Sequence, residues 1–578
     1  MRMTNKIMQN NSLYNINNNK IMQDKLSTMM STQKKIAKPS DDPVVAIRAL
    51  RLRTSVSELT QYYEKNAPDA ESWLDVTTKA LENTIAEVLT QMNKTANKAA
   101  NKEYGSEDLA VYVEQLKSLR NEFYSTGNLD YAGRYVFTGY RTDTSLTFMK
   151  DVEDAPPSYQ ITEQTTIEGF DQINCTDIGN LEGLNKNNYK DPSTASGFVE
   201  VTENDIKNGD VYRLRLSYDV LTNGAPTITY KDAAGTEKSV EGSYPDGNGG
   251  VQTGIQTISV NDDPYSQMLT DEYKEAVVFV PETGELLFGS DAYVKLTADV
   301  TPQTEFQVTY CKDSWKDGDL RPEHYFACKK AAVDDMGKPV YVQQVDANGK
   351  PIVDANGKPV YEQAKDENGN PMVDANGDPV YKQKMIDYNQ EYLEIGNTNK
   401  QVIEYDVGYN QKIQVNTTAD KVFVHGLDRD IDDLERALAD LVDIDATMTD
   451  LDQILKGMDK DNPDDYTAVK NQYDASKKAY DYLRENIHTM FEGTITKTQK
   501  YLDMTNLAVT DNGTRSQRLE LISNRLMDQR TNFKTLQSEN EDIDIAEVII
   551  QLTSTELTYN SALMATGKIM QTSLMNYI

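Results

Sequence analysis

Glycine is missing from the first 104 of 578 residues, and the whole chain has only three histidines and three cysteines. So few histidines leave a His-based catalytic or metal site little material. Cys175, Cys311 and Cys328 cannot form a disulfide framework, and at least one stays unpaired within the chain. No uncharged apolar run approaches the ~18 residues that a membrane-spanning helix requires. Residues 1–20 are rich in Asn and lack the continuous apolar core of a cleavable signal peptide. Neither an integral membrane protein nor a classical secreted precursor is expected. Positive charge is also scarce: 59 Lys and Arg stand against 92 Asp and Glu, a net charge of −33. Such a chain repels phosphate backbones, so nucleic acid and anionic membrane are not expected partners.

Catalytic signatures are missing as well. There is no Gly-rich phosphate loop, His-Glu-x-x-His helix or Gly-x-Ser-x-Gly elbow. Cys311, His324 and Cys328 form the one metal-like grouping, with spacings that match no standard zinc finger. An enzyme is not expected, nor a cofactor.

What is present divides the chain. Of 31 glycines, 27 fall between Gly105 and Gly426, and fourteen of the 18 prolines lie in the same stretch. Both residues disfavour helix interiors. Two Gly-poor arms thus read as helical and enclose a turn-rich, mainly β insert. The expected fold is α+β and multidomain, with long N- and C-terminal helices paired in a coiled-coil-like bundle. The expected division is 1–40 with 536–578 as terminal helical assembly segments, 41–145 with 427–535 as a helical bundle, 146–320 as a β-rich insert and 321–426 as a β-hairpin repeat.

Periodicity supports the helices. Leu74, Leu81 and Val88 recur every seven residues, with Ile85 and Met92 between and beyond them. In the last arm Leu536, Ile543, Ile550, Leu557, Met564 and Ile578 share one seven-residue series, interrupted at Gln571. Either a coiled-coil seam or the core stripe of an ordinary bundle fits this pattern. One stripe on one helix does not offset the ordering entropy of the tail. The extreme ends are therefore expected to be loosely ordered in the monomer and to become helical on assembly.

Around residue 40, Pro39-Ser40-Asp41-Asp42-Pro43 marks a helix break, with Asp42 as N-cap and Pro43 at the first helical position. It reads either as a hinge between packing layers or simply as a capped helix start. Residues 33–53 carry six basic side chains against Asp41 and Asp42, suiting an acidic neighbouring subunit or a solvated face. Further on, Tyr131, Tyr135 and Phe137 alternate, which predicts a strand or hairpin with these rings on one face.

Residues 334–383 repeat internally. Aspartates 334, 346, 354, 366 and 374 open five turn units with a 20-residue period, which Tyr341, Tyr361 and Tyr381 also mark. Tight turns and short Val-Tyr or Ile-Val strands predict a β-meander or repeat array. A calcium loop fails: Ile352 and Met372 stand where oxygen ligands are needed, and Gln363 and Gln383 where the bidentate Glu belongs.

With those residues in view, the chain resembles a known family. The break at 38–43 leading into Ala46 to Arg53 resembles the flagellin superfamily. Trp73 in its Ser-Trp-Leu-Asp setting, and Tyr131, Gly133, Arg134, Tyr135, Phe137, Gly139 and Tyr140, resemble its hook-associated branch, the FlgL-type hook–filament junction proteins. The arm from Thr514 onward is similar to that family's C-terminal helix. The resemblance covers about residues 1–145 and 427–578; the insert 146–426 is unusually large for the family and is not explained by it.

The resemblance implies a structural subunit that polymerises with identical copies between another hook-associated protein and flagellin. It also implies an export chaperone, and an extracellular place in the bacterial flagellum reached through the flagellar type III apparatus without a cleaved signal. A filament-forming flagellin and an adhesin or enzyme seated in the insert are the alternatives.

Overall fold

A computed structural model describes residues 5–149, 158–181, 184–187, 189, 200–232, 235–245, 250–334, 338–345, 350–353, 358–364, 371–373, 377, 379–391, 393, 401–458 and 463–571. Helical arms flank a mainly β centre, and the chain forms two compact units.

The first unit combines residues 1–72, 404–414 and 514–578. It holds the helices Asn5–Thr32 and Pro43–Gln61, the end of the 79-residue helix Pro463–Glu541, and the last helix Ile545–Gln571. A small hairpin, Glu404–Gly408 with Gln411–Gln414, joins them. Its place there was not legible, because it lies within the stretch assigned to the repeat.

The second unit spans residues 73–403 and 415–513. The bounds between these units fall at 72 and 514, while the four-part division expected from the sequence has bounds of its own at 40 and 536. Leu74, Leu81, Ile85, Val88 and Met92 are all buried in this unit, which decides for a core stripe there. A π-helical stretch, Leu81–Ile85, interrupts the helix without turning that stripe outward.

The insert is a two-sheet sandwich. One sheet runs Gln256–Thr257, Val277–Val280, Glu285–Phe288, Lys207–Arg215, Phe170–Asp177 in spatial order. The other runs Met385–Asp387, Ala327–Ala331, Tyr159–Thr166, Glu305–Lys312, Thr222–Lys231, Glu237–Ser239. Inward residues of both, among them Phe170, Phe279, Phe288, Ile161, Phe306 and Val308, share one apolar core. Because Ala327–Ala331 pairs with Tyr159–Thr166, a division near 320 would cut through this sheet.

The repeat closes on itself rather than meandering. Val342 donates to the Lys382 carbonyl (2.9 Å), Lys382 to Glu362 (2.8 Å) and Glu362 to Val342 (2.8 Å), so positions twenty residues apart form a ring. Tyr341, Tyr361 and Tyr381 meet pairwise with centroids 5.7–5.8 Å apart. Single Val–Pro bridges flank the turns, since a proline nitrogen cannot extend a ladder. Asp334 is described; the other four turn aspartates lie outside the described residues.

Buried ion pairs tie the insert to the helix His425–Gly457 within this unit. Arg213 Nη1 contacts Glu285 Oε1 and Asp433 Oδ2, each at 3.0 Å, and Arg215 Nη1 reaches Asp433 Oδ2 at 2.7 Å.

Candidate assembly surface

The first and last helices run antiparallel and meet along a seam of mixed polarity. From Gln9 to Leu26 the less exposed positions of helix Asn5–Thr32 are spaced by three and four: Gln9, Ser12, Ile16, Asn19, Gln23 and Leu26. Opposite them lie Val548, Leu552, Thr555, Tyr559, Ala562 and Thr566, at the same spacing. That is a heptad seam, yet half of its positions are polar. Gln23 Nε2 donates across it to Glu556 Oε1 at 3.4 Å.

Other large apolar side chains point the other way. Ile550, Leu557 and Met564 are 69–70% exposed. Ile550 lies two residues beyond seam residue Val548, about 200° round the helix. On the first helix Ile7, Tyr14 and Ile21, again seven apart, are also exposed.

This corrects the expected C-terminal stripe in its details. Leu536 belongs to the long helix, and Ile543 sits in the break before the last one. Ile550, Leu557 and Met564 keep the seven-residue spacing but line the outer face, while Ile578 lies outside the described residues. Asn5–Thr32 and Ile545–Gln571 are helices, and their expected loose order before assembly is a prediction for amide exchange in the monomer. Each helix supplies the other with a seam that neither the periodicity nor the hydrophobicity of one arm reveals.

Two helix breaks face each other at the base of this hairpin. Gln33 takes a left-handed conformation (φ 56°), Lys35 N–H donates to the Glu541 carbonyl at 2.7 Å, and Ile543 N–H to that of Gln33 at 3.3 Å. Asp41 Oδ2 accepts from the backbone N–H of Lys38 (2.9 Å) and Ala37 (3.1 Å), bonds that lower its carboxyl below the usual range. Asp42 Oδ1 accepts from Val44 N–H (2.9 Å) and Val45 N–H (3.1 Å), capping the helix that Pro43 begins. Asp544 caps the last helix in the same way, through Ala546 and Glu547. Pro39 and Ser40 lie in the exposed turn between the first two helices.

An ion cluster closes the base. Glu541 is almost fully buried; Arg53 Nε donates to its Oε1 at 2.8 Å, and Arg53 Nη2 pairs with its Oε2. Lys34 Nζ stands 3.5 Å from Glu541 Oε2 and also pairs with Asp542, while Lys35 Nζ reaches the Glu539 carbonyl. Half of the basic stretch expected to meet a neighbour or solvent is thus engaged within its own chain.

Arg53, then Lys34, hold the Glu541 carboxyl below the usual range against the effect of burial. A depressed carboxyl stabilises above its unfolded pKa, and that contribution is lost as pH falls through the folded value. Acidification below about pH 4 should therefore raise amide exchange through residues 545–571. Glu541→Gln should raise it already at neutral pH. Unchanged exchange in both experiments would show that the cluster does not hold the base closed.

In the second unit the aromatic segment forms a buried joint. Asp130–Tyr131 and Arg134–Tyr135 pair as a hairpin whose turn, Ala132 and Gly133, has φ of 53° and 77°. Tyr131 meets the fully buried Trp73 edge-on at 5.8 Å, and the Arg134 guanidinium lies 4.9 Å over the Trp73 ring. Register places Tyr131 beside Arg134 and Tyr135 beside Asp130, so the rings of 131 and 135 take opposite faces rather than one. Phe137 lies beyond the hairpin and packs edge-on against Phe423 at 5.1 Å.

Gly139 (φ 62°) approaches Gln401 so closely that an added Cβ would stand 2.0 Å from Oε1, the atom that accepts from Tyr140 N–H at 3.1 Å. Tyr140 itself is half exposed. Gly139→Ala is expected to cost about 2 kcal/mol, from left-handed strain and the displaced bond, measurable by urea unfolding. A loss below half of that would mean the loop relaxes freely. Trp73, Tyr131, Arg134 and Phe137 are thus packing residues of the second unit. Among the described residues no three His, Cys, Asp or Glu side chains, Cys311, His324 and Cys328 included, are placed together to hold an ion. His324 Nε2 instead bonds the Ser145 carbonyl at 2.9 Å.

Comparison with known proteins finds a family match in the N-terminal arm. Residues 3–142 match the family model of the bacterial flagellin N-terminal helical region. The chain is 26% identical over 183 residues to flagellar hook-associated protein 3 of Salmonella typhimurium, covering 31% of this chain and 55% of that one. It is 28% identical over 152 residues to flagellar hook-associated protein 3 of Escherichia coli, covering 25% and 45%. The chain thus spans about half the length of the curated relatives it matches. Among solved structures, FlgL of Xanthomonas campestris aligns at 12% identity over 81% of this chain and 98% of that one, with a TM-score of 0.19. A putative flagellar hook-associated protein of Vibrio parahaemolyticus aligns at 28% identity over 19% and 49%, with a TM-score of 0.18. The resemblance to the flagellin superfamily, in its hook-associated branch, therefore holds in sequence.

Proposed function

We propose, from a flagellin-type N-terminal arm and relatives named as hook-associated proteins, that this chain is a structural subunit of the bacterial flagellum. It forms an adaptor layer between the hook region and the flagellin filament. The observation that carries the reading is the helical hairpin with a half-polar seam inside and apolar stripes outside. In water, such exposed stripes mark a surface that another molecule covers. Identical copies supply the same helices, so Ile550, Leu557 and Met564 of one subunit pack on the terminal helices of its neighbours. The break at Pro39 to Pro43, fixed by Asp41, Asp42 and the Glu541 cluster, sets how the hairpin leaves the rest of its unit.

At the ends of the layer, another hook-associated protein and flagellin take the place of identical copies. An export chaperone covers the stripes beforehand, and the flagellar type III apparatus delivers the chain outside the cell without cleavage of a signal. Trp73, Tyr131, Gly133, Arg134, Tyr135, Phe137, Gly139 and Tyr140 serve as the joint that keeps the helical core rigid.

Immunogold labelling of intact flagella with antibody against residues 146–426 tests this. A single label where hook meets filament is expected. Label along the whole filament would make the chain a flagellin, and absence from flagella would refute both.

A further inference from the structure

We propose that the second unit carries a binding cleft for a small organic cation, an amine or guanidinium on an apolar stem. Between the strand Phe170–Asp177 and the helices His425–Gly457 and Pro463–Glu541 lies a cavity of about 830 Å³. That is within the ~300–1,000 Å³ usual for small-molecule sites. Nothing in polymerisation through terminal helices requires it.

Charge identifies the ligand class. Eight carboxylates line the cavity against three cations, Arg213, Arg436 and Lys497. The three cations are already engaged: Arg213 and Arg436 with Glu285 and Asp433, and Lys497 with Asp430. Among the described residues no Lys or Arg forms an ion pair with Asp210, Asp263 or Asp443. Asp210 accepts from the side-chain amides of Asn174 (2.9 Å) and Gln172 (3.2 Å), and Asp263 caps Ser266 N–H (3.2 Å). Neutral donors fix these two carboxylates without neutralising them, so an anionic guest is repelled and a cation is attracted.

Part of the remaining wall is apolar, with Ile173, Ile444, Leu483 and Met490 among its residues, interleaved with uncharged polar side chains such as Asn486 and Thr489. A bare metal ion would leave that surface wetted, whereas an alkyl stem covers it. Acidic rim and apolar wall together suit an amphipathic cation.

Calorimetry on the full chain tests this with hexylamine and agmatine as probes, and hexanol and hexanoate as controls. Both cations should bind at least about tenfold more tightly than either control. Raised salt should weaken them. Since a chain of net charge −33 attracts cations everywhere, a cavity-filling variant is decisive. Gly493 lines the cleft, and an added Cβ there meets no heavy atom within 4 Å. Gly493→Leu therefore fills space while improving helix propensity, so the fold is retained. Loss of binding by about tenfold or more in this variant, with unchanged circular dichroism, supports the cleft. Binding untouched by Gly493→Leu, equal binding of hexanol and hexylamine, or no binding by either cation would overturn it. Each of these readouts is independent of where the chain stands in the flagellum.

Discussion

Replacing Ile550, Leu557 and Met564 together by serine should leave the single chain folded and abolish its polymerisation. All three side chains are about 70% exposed on the outer face of the last helix, so in the monomer they contribute little. Surface changes of this kind shift stability by about 0.5 kcal/mol or less each. Across a subunit interface the same side chains are worth about 2 kcal/mol apiece when buried. Losing all three weakens each contact by about 6 kcal/mol, or roughly four orders of magnitude in association constant. Sedimentation and electron microscopy of purified protein read assembly, and circular dichroism reads the fold. The paired control is Leu552→Ser on the half-buried seam, which should loosen the hairpin itself. Normal assembly by the triple variant would refute the assignment of this face.

Asp433→Asn should destabilise the second unit by about 3–5 kcal/mol. Asp433 is buried among Arg213, Arg215 and Arg436, so removing its charge strands guanidiniums away from water. Burial by itself would raise its carboxyl pKa; the facing guanidiniums of Arg213, Arg215 and Arg436 win and hold it far below the usual range. The sign of the pH dependence follows. Its stabilisation is complete above the unfolded pKa of about 4 and drains away as pH falls below that. The gap between parent and variant should therefore narrow steadily under acid. The two tryptophans, Trp73 and Trp315, both lie in this unit, so urea unfolding followed by fluorescence reports on it directly. A variant within 1 kcal/mol of the parent at neutral pH would show that water reaches the cluster.

The two terminal arms and the character of the insert were legible because their signals are local. Scarcity of glycine permits long helices, and Asp42 before Pro43 announces a cap that needs nothing beyond the next three residues. A 20-residue period likewise declares a repeat. Closure of that repeat into a ring was not legible, since it depends on Val342 bonding to Lys382, forty residues away.

The same limit governs the candidate surface. Sequence determined that Ile550, Leu557 and Met564 form one stripe, because helical geometry alone puts residues seven apart on one face. Which way the stripe points was decided by the partner helix, whose Gln9, Ser12 and Asn19 accept the Val548 face instead. Periodicity is a property of one helix, whereas burial belongs to a pair. Likewise, the three basic residues Lys34, Lys35 and Arg53 are visible in sequence. Only the fold brings Glu541 and Asp542, some five hundred residues on, against them, because charge complementarity acts through space and not along the chain.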